Sequence, residues 1–158
     1  MTMMDAALKY AEANIPVIPL HWICADGSCS CKAGRNCDSK GKHPLYTGWY
    51  KNSTADVEQI KKWWTKTPNA NIGIPTGEKS GWLVLDVDDG GDETLSAFES
   101  THGKLPDTVT AVTAVTGGGG LHYIFKYPEG RSIPNKTKFA PGLDTRSTGG
   151  LIVVAPSI

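Results

Sequence analysis

A chain of 158 residues, 39% hydrophobic and 20% charged, has enough material for one domain with a core of its own. Its formal net charge of +0 argues against a small module that coats duplex DNA through a basic face. No apolar run approaches the length of a membrane span, and the start Met1-Thr2-Met3-Met4-Asp5 lacks the basic and apolar regions of a secretion signal, so a cytoplasmic protein with no membrane partner is expected.

Asp5 is placed to cap a helix running to about Asn14, with Ala7, Leu8 and Ala11 on one face. Ile15-Pro16-Val17-Ile18-Pro19-Leu20 reads as a first strand, and its prolines suggest a sheet edge. The segment His21 to Pro44 holds every cysteine of the chain, Cys24, Cys29, Cys31 and Cys37, among Gly27, Gly34 and Gly41. Thiols kept reduced inside a cell make a disulfide framework the weaker explanation. So polar a loop has little apolar surface to fold around, whereas a tetrahedral thiolate and imidazole zinc site supplies folding free energy directly. Cys29, Cys31, Cys37 and His43 make a Cys₃His set, with Cys24 or His21 as substitutes; the spacing is not that of a CxxC finger, and unliganded surface thiols are the alternative.

Ser53 or Thr54 is expected to cap a helix through about Thr67, where Val57, Ile60 and Trp64 follow helical spacing and Pro68 stops it. Of the pair Trp63-Trp64, one falls on the apolar stripe, which favours core packing over a base-stacking platform. Asn69 to Thr76 reads as a short strand and turn. The run Gly81-Trp82-Leu83-Val84-Leu85-Asp86-Val87-Asp88 follows as a buried strand that ends in two carboxylates. Residues two apart on a strand share a face, so Asp86 and Asp88 can close on one cation. Unpaired, they would repel and raise one pKa; a divalent ion such as Mg²⁺ resolves that conflict. Asp-Val-Asp-Asp-Gly-Gly is also compatible with a strand running out into a turn.

Asp92 is expected to start a helix with Leu95 and Phe98 inward, ending near Gly103, and Pro106 precedes a strand over Thr108 to Thr116. Four glycines, Gly117 to Gly120, then separate that strand from Leu121-His122-Tyr123-Ile124-Phe125, which alternates. Glycines there let backbone N–H groups approach an anion, with His122 at the mouth of the turn; a plain hairpin is the simpler reading. Gly142-Leu143-Asp144-Thr145-Arg146 supplies a third carboxylate and a basic side chain at a strand edge ahead of the terminal strand Leu151 to Ala155. Acidic residues concentrate between Asp86 and Glu99, while Lys32, Arg35, Lys40, Lys42 and Lys51 upstream and Lys126, Arg131, Lys136, Lys138 and Arg146 downstream form basic flanks. A metal-dependent site that holds a polyanion by its edges has this distribution.

The strand ending Asp86-x-Asp88, then Gly119-Gly120-Leu121-His122, then Asp144-x-Arg146 with Gly149-Gly150 and Val154-Ala155-Pro156-Ser157, resembles the bifunctional DNA primase/polymerase (Prim-Pol) domains of the archaeo-eukaryotic primase superfamily. The Pro-Asn-Ala-Asn-Ile-Gly segment and the Cys-x-Cys…Gly-Lys-His-Pro insertion extend the resemblance over almost the whole chain. It implies an α+β fold, an RRM-like palm whose mixed or antiparallel sheet is backed by helices, with residues 1–158 as one catalytic domain, 21–44 as a zinc-binding insertion and a truncated C-terminus. It assigns Asp86, Asp88 and Asp144 to catalytic Mg²⁺ or Mn²⁺, His122 with Thr116, Gly119 and Gly120 to the phosphates of an incoming dNTP or NTP, and Arg146 to phosphate or template. It also implies a single-stranded DNA template, a phage, prophage or plasmid replication setting in a prokaryotic host, and a helicase domain or subunit as partner. Two other classes share parts of the pattern: a metal-dependent phosphohydrolase or nuclease, and a catalytically silent, zinc-bearing nucleic-acid-binding module.

Overall fold

The computed structural model describes residues 1–112 and 120–158 and divides into two compact units, Met1–Pro75 with Ile152–Ile158, and Thr76–Leu151. The part of the expected Thr108 to Thr116 strand beyond Val112 lies outside the described residues. Each unit carries its own antiparallel pairing and its own helices, so the α+β class is as expected. Among the described residues, no helix is long and apolar enough to cross a membrane.

The first unit opens with α1 (Met3–Glu12). Its cap is Thr2, not Asp5: the Thr2 hydroxyl accepts the Asp5 N–H at 3.1 Å while the Asp5 carboxylate accepts the Thr2 N–H at 2.8 Å. Asp5 is therefore the third helical residue of a reciprocal box. Ala6, Ala7 and Ala11 are buried, and the helix packs on α3 (Val57–Lys66). Asp56 caps α3, accepting the Gln59 N–H at 2.7 Å; Ser53 and Thr54 lie three and two residues upstream, after a single helical turn, α2 (Trp49–Asn52), that the sequence reading lacked. Ile60 and Trp64 are fully buried, and the Trp64 indole donates to the Ala70 carbonyl at 2.9 Å. Trp63, half-buried, stacks instead on Tyr46.

Strand β1 (Ile18–Leu20) lies at the edge of a small sheet, as its proline requires, and pairs antiparallel with the central β2 (Asn71–Pro75); β8 (Leu151–Val154) closes the other side. Ile18, Leu20, Ile72 and Ile74 are fully buried, each such side chain contributing about 1.5–3 kcal/mol. Buried Asn71 is satisfied by donating to the Gly41 carbonyl at 3.0 Å, which ties the cysteine-bearing loop to the sheet.

In the second unit the described strands form one five-stranded sheet in the order β4 (Val109–Val112), β5 (Leu121–Lys126), β3 (Trp82–Val87), β7 (Leu143–Arg146), β6 (Lys136–Ala140), every neighbour antiparallel. The Asp-bearing strand β3 is at its centre. Its apolar β-branched run pays for that place by burying Val84 and Val87. Helix α4 (Gly91–His102) follows, capped by Gly90 at φ 77° and not by Asp92, which lies in its first turn where a carboxylate suits the helix dipole. Phe98 does not turn inward: it is 43% exposed, with its ring against His102 and Phe139. Gly103 ends the helix as expected.

Two glycines set the geometry at the end of β3. A Cβ on Gly91 would stand 2.4 Å from the Gly142 carbonyl oxygen, and one on Gly142, at φ 67°, would stand 2.4 Å from the Gly91 nitrogen. Only residues without side chains let the β3–α4 turn and the β6–β7 turn approach this closely. The Asp88 N–H then donates to the Gly142 carbonyl at 2.9 Å, which fixes Asp88 beside β7.

Candidate active site

Because β5, β3 and β7 are adjacent and antiparallel, residues directly opposite share a face. Asp86 pairs with His122 on one side and with Asp144 on the other, so His122, Asp86 and Asp144 form one row across three strands. They are 7%, 7% and 8% exposed. Asp88, one residue past the strand, completes a trio: one carboxylate oxygen each of Asp86, Asp88 and Asp144 lie within 4.8 Å of one another. Asp144 thus lies on β7, one strand in from the edge strand β6.

Ionised carboxylates so close together need compensation. His122 Nε2 lies 3.3 Å from Asp86 Oδ1. Arg146, two residues after Asp144 and so on the same face, puts Nη2 2.6 Å from Asp144 Oδ2 and 3.3 Å from Asp86 Oδ2. Burial alone would push the Asp86 carboxyl up; the hydrogen bond and charge of His122, and then Arg146, outweigh it and hold Asp86 below its ordinary value. The Lys138 backbone N–H donates to Asp144 Oδ1 at 2.5 Å. Sequence reasoning missed this contact, since nothing in Lys136-Thr137-Lys138 signals it.

Asp88 and Asp144 open onto a cleft of about 600 Å³ lined also by Asp89, Lys138, Phe139 and Gly142. Three carboxylate oxygens are a hard donor set, suited to Mg²⁺ or Mn²⁺. Of the residues assigned to nucleotide, His122 stands in the carboxylate row, Arg146 reaches it from two residues further along β7, and Gly120 directly precedes β5. Thr116 and Gly119 lie outside the described residues.

The second donor set is soft. Side-chain ligand atoms of Cys29, Cys31, Cys37 and His43 lie within 4.8 Å of one another, with His43 Nε2 3.5 Å from the sulfurs of both Cys29 and Cys37. Ligands bound about 2.0–2.3 Å from one tetrahedral zinc are roughly 3.3–3.8 Å apart, so the donors fit that ion in kind and spacing. A short 3₁₀ turn, Gly34–Asn36, organises them: the Gly34 carbonyl accepts the Cys29 N–H at 3.1 Å and the Cys37 N–H at 3.3 Å, and the Gly34 N–H donates to the Cys31 carbonyl at 3.0 Å. Burial works against ionising the Cys31 thiol, yet hydrogen bonds from the Cys29 side chain, the Ala33 backbone, Cys37 and His43 bring it down to about 6. Cys24 and His21 stand outside this group. The His21 ring packs at a tilt against the His43 ring, centroids 4.4 Å apart, and meets the Ser30 hydroxyl at 2.8 Å.

No curated protein matches the chain. The family described as "Bifunctional DNA primase/polymerase, N-terminal" does match, over residues 7–158, which takes in both donor sets and every described strand. With that match spanning nearly its whole length, the chain belongs to the Prim-Pol family of bifunctional DNA primase/polymerase N-terminal domains.

Proposed function

We propose that the chain is a DNA primase/polymerase that makes and extends primers on single-stranded template by nucleotidyl transfer, with residues 1–158 acting as one catalytic domain and the five-stranded sheet as its palm. One observation carries this reading: three carboxylates, a histidine and an arginine converge at the centre of that sheet in a member of a primase/polymerase family. Asp86, Asp88 and Asp144 would hold Mg²⁺ or Mn²⁺. Cations held there would supply charge stabilisation to the attacking and leaving oxygens of a displacement at phosphorus.

The protein's own groups do the positioning. Asp86 is kept ionised by His122 and Arg146, ready to accept a cation without first losing a proton. His122, fixed by the β3–β5 ladder, would hold the triphosphate of a dNTP or NTP, a role that the family resemblance extends to Gly120, Gly119 and Thr116. Arg146 neutralises two carboxylates and becomes available to phosphate or template once cations take over that task. A chemistry of positioning and charge neutralisation requires no protein nucleophile. The insertion 21–44 is read as a structural zinc module, since four protein ligands leave no open position for substrate. A phage, prophage or plasmid replication system with a helicase partner is the setting that the family resemblance favours.

The test is a combined primer-extension and de novo priming assay on single-stranded DNA with Mg²⁺ or Mn²⁺. Template-dependent incorporation supports the reading. Hydrolysis of the nucleic acid without any need for dNTP would indicate a nuclease, and template binding without turnover a silent binding module.

A further inference from the structure

The β6–β7 ladder is irregular where it passes the carboxylates. Lys136 faces Thr145 and Ala140 faces Leu143, so Thr137, Lys138 and Phe139 together stand against Asp144 alone. A bulge of this kind re-aims what its strand carries and is frequent beside active sites. Lys138 adopts φ 49°, the left-handed region that a residue with a Cβ rarely enters. That turn delivers its N–H to Asp144 Oδ1 at 2.5 Å, while Arg146 Nη2 takes Oδ2 at 2.6 Å. Both oxygens of Asp144 are thereby oriented by its own sheet.

A bulge that only blunted an exposed sheet edge would be formed more cheaply by glycine at this φ. Lysine stands there instead, and it lines the same cleft as Asp88, Asp89 and Asp144. Among the described residues its ammonium has no ionic partner. Three carboxylates lining one cleft repel a polyanion, and a cation on a long flexible stem at their side offsets that repulsion.

We propose that Lys138 has two tasks: through its backbone it is a positioning residue for Asp144, and through its ammonium it binds the phosphates of the nucleoside triphosphate. The proposal rests on the nucleotidyltransferase reading and adds to it a residue outside the carboxylate–histidine row. The substitution series Lys138→Gly, Lys138→Ala and Lys138→Val separates the tasks, because glycine accepts positive φ freely, alanine reluctantly and a β-branched residue least of all.

Mn²⁺ binding is followed by electron paramagnetic resonance, and dATP binding to the Mn²⁺-loaded full chain by calorimetry. Lys138→Gly should bind Mn²⁺ as the wild type does and lose about tenfold in dATP affinity, as expected for one charge-assisted contact. Mn²⁺ affinity should hold in Lys138→Ala, whose Cβ costs no more at this φ than lysine's own, and fall in Lys138→Val; if Lys138→Val does not fold, Lys138→Thr, also β-branched, takes its place. Unchanged dATP affinity in Lys138→Gly overturns the phosphate contact, and equal Mn²⁺ affinity in all folded variants overturns the positioning. A wild-type protein that binds neither Mn²⁺ nor dATP overturns this proposal and the functional reading together. Wild-type binding with unaffected variants overturns this proposal alone.

Discussion

Asp86 lies directly across the β3–β7 ladder from Asp144, and a single guanidinium nitrogen, Arg146 Nη2, reaches both, at 3.3 Å and 2.6 Å. Two carboxylate side chains about a tenth exposed are therefore neutralised by a side chain that is itself about a quarter exposed. The arrangement puts Arg146 where a cation would otherwise be needed, so the proposed metal binding should be linked to stability.

Arg146→Ala should accordingly destabilise the protein by about 2–4 kcal/mol in EDTA, because it strands two buried carboxylates. Saturating Mn²⁺ should restore most of that loss, since a ligand at about 100 times its Kd adds about 2.7 kcal/mol to the folded state. Thermal melts with and without Mn²⁺ measure this. An equal loss of Tm under both conditions would show that Arg146 serves packing alone.

His122→Ala is expected to weaken dNTP binding by about 1.5–3 kcal/mol, the worth of a hydrogen bond to a charged group, with little change in single-stranded DNA affinity. Separate titrations of dNTP and oligonucleotide test it. Equal losses for both ligands would mean that His122 acts by holding Asp86 in place, through its 3.3 Å contact, and not by meeting phosphate.

For the cysteine loop, protein purified without added zinc should carry one equivalent of the metal, and strong chelation should expose Cys29, Cys31 and Cys37 to thiol reagents. A structural zinc site is worth about 10–16 kcal/mol of apparent binding free energy in small peptides, so the loop should lose its fold when the ion leaves. Less than half an equivalent of zinc, with all thiols reactive in the native state, would return these cysteines to an ordinary surface loop.

Much of this site was legible because period-two patterns carry direction. The apolar run before Asp86 located the central strand, and the alternation of Leu121 to Phe125 placed His122 on one face. Which strands would be neighbours was not legible, so the pairing of Asp86 with both His122 and Asp144 had to come from the structure. Arg146 was counted with the basic flanks, although its spacing from Asp144 already put the two on one face. Strand β6 was missed because its polar, exposed residues carry no apolar period, and its bulge hides the Lys138 contact further. Helix starts were misplaced at Asp5, at Ser53 or Thr54, and at Asp92, because neighbouring acidic and hydroxyl residues can all accept an N–H and only backbone geometry selects one.

Asp88 offers the most direct test of the central claim, since it is exposed and its backbone N–H donates to the Gly142 carbonyl whatever side chain the position carries. The measurement is primer extension by Asp88→Ala on single-stranded template with Mn²⁺, alongside a thermal melt. The account predicts an unchanged fold and a rate at least about a hundredfold lower, because a carboxylate that holds the catalytic cation supports several kcal/mol of transition-state stabilisation. Wild-type incorporation by the folded variant would contradict it and remove the carboxylate trio from the chemistry.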